Sequence, residues 1–115
     1  MSGRINDASI RWGSQTSTTS FHRHGFDTKG KRFDLITIAG LYNHPEVPRF
    51  AIESVVCHEA LHIIHPPYKK NGRTIYHGPA FREAERALPH YEQWRVWERC
   101  HAGRLIRSLR RTGGR

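Results

Sequence analysis

The stretch VVCHEALHIIHPPY, Val55 to Tyr68, sets two histidines four residues apart with a glutamate directly after the first. A helix turns once per 3.6 residues, so His58 and His62 stand one turn apart on one face, about 6 Å between their side-chain origins. Imidazoles so placed reach a single ion at roughly 2.0 to 2.1 Å. Glu59 projects beside that face, where its carboxylate can touch a water held by the ion without ligating the ion. A chain with nine histidines produces such a spacing by chance at some rate. The setting argues for purpose: ionisable side chains late in a strongly apolar helix are costly to bury, and a metal offsets that cost.

Working outward, NHPEVPRF carries the start signals of this helix, with Asn43 before a proline, Glu46 in the first turn and Pro48 near the N-terminus. Phe50, Ile52, Val55, Val56, Leu61 and Ile63 make a face broad enough for a largely enclosed helix. Pro66 and Pro67 end it near Ile64, since proline lacks the amide proton and clashes with the preceding turn. Upstream, IRWGSQTSTTS (Ile10 to Ser20) reads as a strand or its approach, and FHRHGFDTKGK as a loop or hairpin connection. RFDLITIAGLY is a strand ending near Gly40. These two strands are expected to pair antiparallel. Downstream, YKKNGRTIYHG reads as a polar loop, and Pro79 opens a helix in GPAFREAERAL. After Pro89 a last helix offers Tyr91, Trp94, Trp97 and Leu105 as its packing face.

At 115 residues the chain suits one domain with a modest core. The expected class is α+β, with a short antiparallel sheet packed on the His-Glu helix and two further helices. No apolar run approaches the roughly 18 residues of a membrane span, and MSGRINDASIRWG lacks the apolar core of a secretory signal. A cytoplasmic protein is expected. Cys57 and Cys100 form no CxxC pair and are expected as reduced thiols, Cys57 on the inner side of its helix. The net charge of +9 favours polyanionic or acidic partners. Much of it sits in RLIRSLRRTGGR, so residues 104–115 read as a basic tail after a domain over 1–103, a candidate DNA contact or a solvated helix end.

A catalytic zinc site usually takes a third protein ligand, and four residues compete for that place. His65 shares the face of His58 but stands about 10 Å further along the axis. Glu83 and Glu85 suit a two-His-one-Glu set, and His77 lies just before the helix that carries them.

HEALH followed about fifteen residues later by HGPAF resembles the SprT-like and related WLM or YgjP-type zinc metallopeptidases, whose pattern is HExxH and then HGxxF. IRWGS is similar to that group's arginine, tryptophan and glycine motif, so the resemblance spans about Ile10 to Leu88. It implies a zincin-like fold, one catalytic Zn²⁺ on His58, His62 and His77, and Glu59 as the general base of peptide-bond hydrolysis. It also implies that Gly78 lets the backbone pass close to the metal centre and that Phe81 packs beneath. Ala60 replaces the commoner leucine, and the cysteine-rich ribbon of some members is absent, which puts ribbon-based targeting to nucleic acid in doubt. The pattern HExxHxxGxxH fails, because His65 and Tyr68 occupy its glycine and third-histidine places.

On that reading the substrate is a polypeptide, docked by adding a strand beside Leu35 to Ala39, and the group includes proteases acting on DNA-bound proteins. Tyr76, Tyr68 and His65 are the candidate donors to the reacting carbonyl oxygen. The rivals are a non-catalytic zinc site, against which an intact Glu59 argues, and a basic nucleic-acid-binding module with incidental histidines.

Overall fold

The computed structural model describes residues 8–113. Strands β1 (Ala8–Trp12), β2 (Phe21–Phe26) and β3 (Arg32–Ile38) form one sheet in the order β1-β3-β2. β3 is therefore central. It pairs antiparallel with β2, Phe26 opposite Arg32 and Phe21 opposite Thr37, and parallel with β1, Ala8 opposite Asp34.

Two sequence-based expectations are corrected here. The segment Ile10 to Ser20 is strand only as far as Trp12, and its pairing with β3 is parallel. The antiparallel partner is FHRHGF, read as loop. The cause is the tight turn at Asp27 to Lys31, where the Asp27 carboxylate accepts the Lys29 and Lys31 amides and Gly30 supplies φ +79°. A turn that short forces β2 beside β3, leaving β1 the other edge. The hydroxyl-rich stretch after Trp12 then wraps the end of β3: Ser17 Oγ accepts the Gly40 amide at 2.7 Å and Ser20 Oγ the Ala39 amide at 2.8 Å. Gly40 abuts this loop so closely that a Cβ there would meet the Ser14 carbonyl oxygen at 2.0 Å.

Helix α1 (Arg49–Ile64) crosses beneath the sheet. Its start is also corrected, from Asn43 to Arg49, with Pro48 as the cap. A residue preceding proline is held in extended geometry, which excludes His44 and Val47 from helix. A 3₁₀ turn over Gly40–Tyr42 fills the gap. A hairpin of β4 (Tyr68–Lys70) and β5 (Arg73–Ile75) follows α1. Its turn residues, Asn71 at φ 53° and Gly72 at φ 77°, give the left-handed pair a two-residue hairpin requires. The expected polar loop is thus strand at both ends.

α2 (Pro79–Arg86) begins on its proline as expected, and α3 (Tyr91–Trp97) runs through a π turn (Glu98–Ala102) into α4 (Gly103–Gly113). The result is a small α+β domain with three helical bodies. Its core gathers Ile36 and Ile38 of β3, Ala51, Val55 and Ile63 of α1, and Trp94, Trp97 and Leu105 of the last rod. Full burial of side chains such as Ile36, Ile63 and Leu105 contributes about 1.5 to 3 kcal/mol each. Trp94 Nε1 donates to Tyr42 Oη at 3.2 Å, and burial pushes the Tyr42 phenol up to about 12. The segment read as a tail from position 104 is helical to Gly113 with Leu105 in the core; residues 114 and 115 lie outside the described part. Both cysteines are free, Cys57 half-buried and Cys100 exposed. No described helix is long and apolar enough to cross a membrane.

Candidate metal centre

α1 supplies His58, Glu59 and His62 from its last two turns, and the link from β5 to α2 brings His77 against them. One nitrogen from each of the three imidazoles lies within 4.8 Å of the others. Ring centroids stand 5.2 Å apart for His58 and His62, 5.3 Å for His58 and His77, and 4.9 Å for His62 and His77. Nitrogens sharing one tetrahedral ion at roughly 2.0 to 2.1 Å would stand about 3.3 Å apart, so the rings would have to draw closer to hold one. Phe81 lies against all three rings, 4.6 Å from His62 at the closest, and its burial fixes the floor they stand on.

The donor chemistry suits a borderline cation. Burial, then the neighbouring His58 and His77, holds the His62 imidazole down at about 4. Burial and then His58 and Arg82 also lower His77. At neutral pH both rings keep lone pairs, which is the form a metal binds.

Glu85 does not offer itself as a ligand. It is buried on α2, where its Oε2 meets His58 Nδ1 and its Oε1 accepts from Arg82 Nη1 at 3.4 Å. Burial alone would raise its pKa; the hydrogen bond and charge of His58, with Arg82 and Arg95, outweigh burial and hold it low. An ionised Glu85 fixes the proton of His58 on Nδ1 and leaves Nε2 for a metal, the usual orienting role of a carboxylate behind a ligating histidine. Replacing Glu85 with alanine is therefore expected to weaken zinc binding roughly 10- to 100-fold, with Glu85→Gln weakening it less. Competition against a chromophoric chelator measures both, and unchanged affinity in Glu85→Ala would refute the orienting role.

Glu59 is 5% exposed, its Oε2 3.9 Å from His58 Nε2. Burial raises its pKa; the nearby Glu85 adds to the rise and His58 opposes it. The carboxylate is thus tuned toward accepting a proton.

These residues line one side of a cleft of about 570 Å³. Opposite stand His22 and His24 of β2 and Arg32 of β3, with Tyr76 and the Pro66-Pro67 step also lining it. Of the candidate carbonyl-oxygen donors only Tyr76 lines this cleft. Tyr68 and His65 line a separate hollow, and Glu83 is exposed. Gly78 is needed where Tyr68 crowds it: a Cβ would meet the Tyr68 hydroxyl oxygen at 2.4 Å. The cleft wall from β2 is not legible in the sequence, because Phe21 to Phe26 holds no β-branched residue and runs into the glycine and charge of GFDTKGK. A shallower apolar hollow of about 420 Å³ beside Phe50 and Trp97 holds no such convergent set.

Comparison of the chain with protein-family models, with curated proteins and with solved structures gives no match.

Proposed function

We propose that this chain is a zinc-dependent metallopeptidase with a zincin-like, SprT-like site. One observation carries the reading: three imidazoles converge on a point beside a buried carboxylate that bonds none of them strongly enough to be spent. A purely structural site has no use for that carboxylate, whose burial is costly.

His58, His62 and His77 would hold the Zn²⁺, which when bound would supply Lewis acidity to a carbonyl and to the attacking water. Glu59 takes one proton from that water as its oxygen adds to the carbonyl carbon. As the C–N bond breaks, Glu59 returns the proton to the departing nitrogen. The substrate docks along β2. The expected site beside Leu35 to Ala39 is corrected, because β3 has neighbours on both edges, whereas the outer edge of β2 has no strand neighbour among the described residues and borders the cleft.

The basic charge does not favour the rival nucleic-acid reading by itself. Arg32, Arg49, Arg82, Arg95 and Arg104 are each held by a carboxylate. A DNA contact through the arginine-rich end is compatible with the protease reading. Truncation after Gly103 is a poor probe of it, since Leu105 is core.

Purified protein is expected to carry zinc by mass spectrometry and to hydrolyse fluorescently labelled casein. A chelator should stop turnover and added zinc restore it. Turnover indifferent to chelation would overturn the reading.

A further inference from the structure

Pro66 and Tyr76 border two hollows at once: the cleft of the three imidazoles, and a second hollow of about 450 Å³ that Ile64, Tyr68, Ala80 and Phe81 also line. Both shared residues are exposed, Tyr76 at 58%, so they form a rim at the surface and not a buried partition. Two more residues tie the second hollow to the imidazoles. Phe81 lies in its wall, and the Phe81 ring stands 4.6 Å from that of His62 and 4.9 Å from that of His77. Gly78, in the same wall, directly follows His77, and Tyr68 packs on it with no room for a Cβ.

The two hollows differ in chemistry. The cleft carries Arg23 and Arg32 on its far side, whereas among the described residues the lining of the second hollow includes no aspartate, glutamate, lysine or arginine. A charged side chain entering it would give up water for no ion partner, while an apolar one gains by leaving water. The walls are regular structure: the end of α1, the first residue of β4 and the first turn of α2. A space of that kind exists before anything enters it. A peptide added as a strand presents alternate side chains to one side, and pockets that receive those side chains supply selectivity.

We propose that the second hollow is a specificity pocket: it takes one large apolar side chain, of the leucine, methionine or phenylalanine kind, from a residue flanking the scissile bond of a polypeptide in the cleft. This rests on the peptidase reading and deepens it by naming the class of sequence cut. The side chain crosses the rim at Pro66 and Tyr76 and comes to rest against Phe81 and Ile64, with Tyr68 opposite Ala80 at the sides. Ala80 is exposed in the first turn of α2 and has no part in the three-histidine group, so its side chain can be enlarged into the hollow without touching the metal ligands.

The test uses the zinc-loaded full chain. Fragments of briefly digested casein, read by mass spectrometry, are expected to show large apolar residues at one fixed position beside the cut and a depletion of charged ones there. Three phosphinic pseudopeptides, whose tetrahedral phosphorus copies the reacting carbon, are then made with glycine, leucine or glutamate at that position. The leucine form should bind about 10- to 100-fold more tightly than the glycine form, and the glutamate form no more tightly than glycine. Ala80→Trp, which fills the hollow, should bring the leucine form down to the glycine form while zinc content and affinity for the glycine form hold. Tyr68→Ala removes a wall instead of adding bulk, and it should also lower the preference for leucine, so the test does not depend on the bulky variant folding. Cuts flanked by charged residues or by no preferred residue, or a leucine preference kept in full by either folded variant, would overturn the pocket and leave the peptidase reading standing. A wild-type protein that binds zinc and cleaves nothing would overturn the peptidase reading and this proposal with it.

Discussion

Glu59→Gln is expected to keep its zinc and to lose hydrolysis of labelled casein, with kcat falling about 100- to 10,000-fold. Glutamine has the same shape and hydrogen-bonding reach, but it cannot take a proton at neutral pH. The ligand rings are undisturbed, since Glu59 comes no nearer to His58 Nε2 than 3.9 Å. Retained turnover would remove Glu59 from its role. A second signature separates this side chain from a passive one. Burial raises the folded-state pKa of Glu59 above its ordinary 4.5, with Glu85 adding to the rise and His58 opposing it. A carboxyl raised on folding contributes stability that is fully present below pH 4.5 and is lost as pH rises through the folded value. Metal-free wild type should therefore lose melting temperature between pH 4 and pH 7 by more than metal-free Glu59→Gln does. Parallel melting curves in chelator at the two pH values would show that the buried carboxylate carries no such strain.

The part of this site that was legible in the sequence is the part fixed by one helix. His58 and His62 are four apart, and the helical repeat alone puts them on one face. The third candidate ligand is not legible from spacing. His65, Glu83, Glu85 and His77 all remained open until a resemblance favoured His77, because choosing among them requires knowing how α2 returns to α1. The structure gives each a distinct place: His77 beside the other two rings, Glu85 behind His58, Glu83 in solvent and His65 at the helix end.

The sheet shows the same division between local and long-range information. β3 and α2 were readable from composition and from Pro79. The Asn71-Gly72 hairpin turn was written in the sequence, since that dipeptide is the strongest short hairpin signal, yet strands of three residues leave almost no alternation to notice. β2 lacks the β-branched residues that mark strands, and its identity comes from being folded against β3 by the Asp27 turn. With β2 goes the far wall of the cleft, including the bond between His22 and the buried Asp34.

His77→Ala is expected to hold zinc well below one equivalent after dialysis, an affinity loss exceeding the roughly 100-fold upper figure for removing an outer partner such as Glu85. The reason is geometric. With His77 gone, the described three-histidine group is reduced to the two α1 imidazoles, and the nearest carboxylate on α2 is already engaged with His58 Nδ1 and Arg82. Folding should be little affected, because His77 is exposed and its ring rests on Phe81 rather than filling the core; surface substitutions of this kind usually move stability by about 0.5 kcal/mol or less. His65→Ala, at the other side of the helix end, should leave zinc content unchanged and serves as the matched control. Metal analysis of the two variants decides between a site built across α1 and the α2 approach and one confined to a single helix. Full occupancy in His77→Ala would place the third ligand elsewhere, and Glu85 would then have to abandon His58 to reach the ion, so that Glu85→Ala would lose zinc outright instead of merely weakening it.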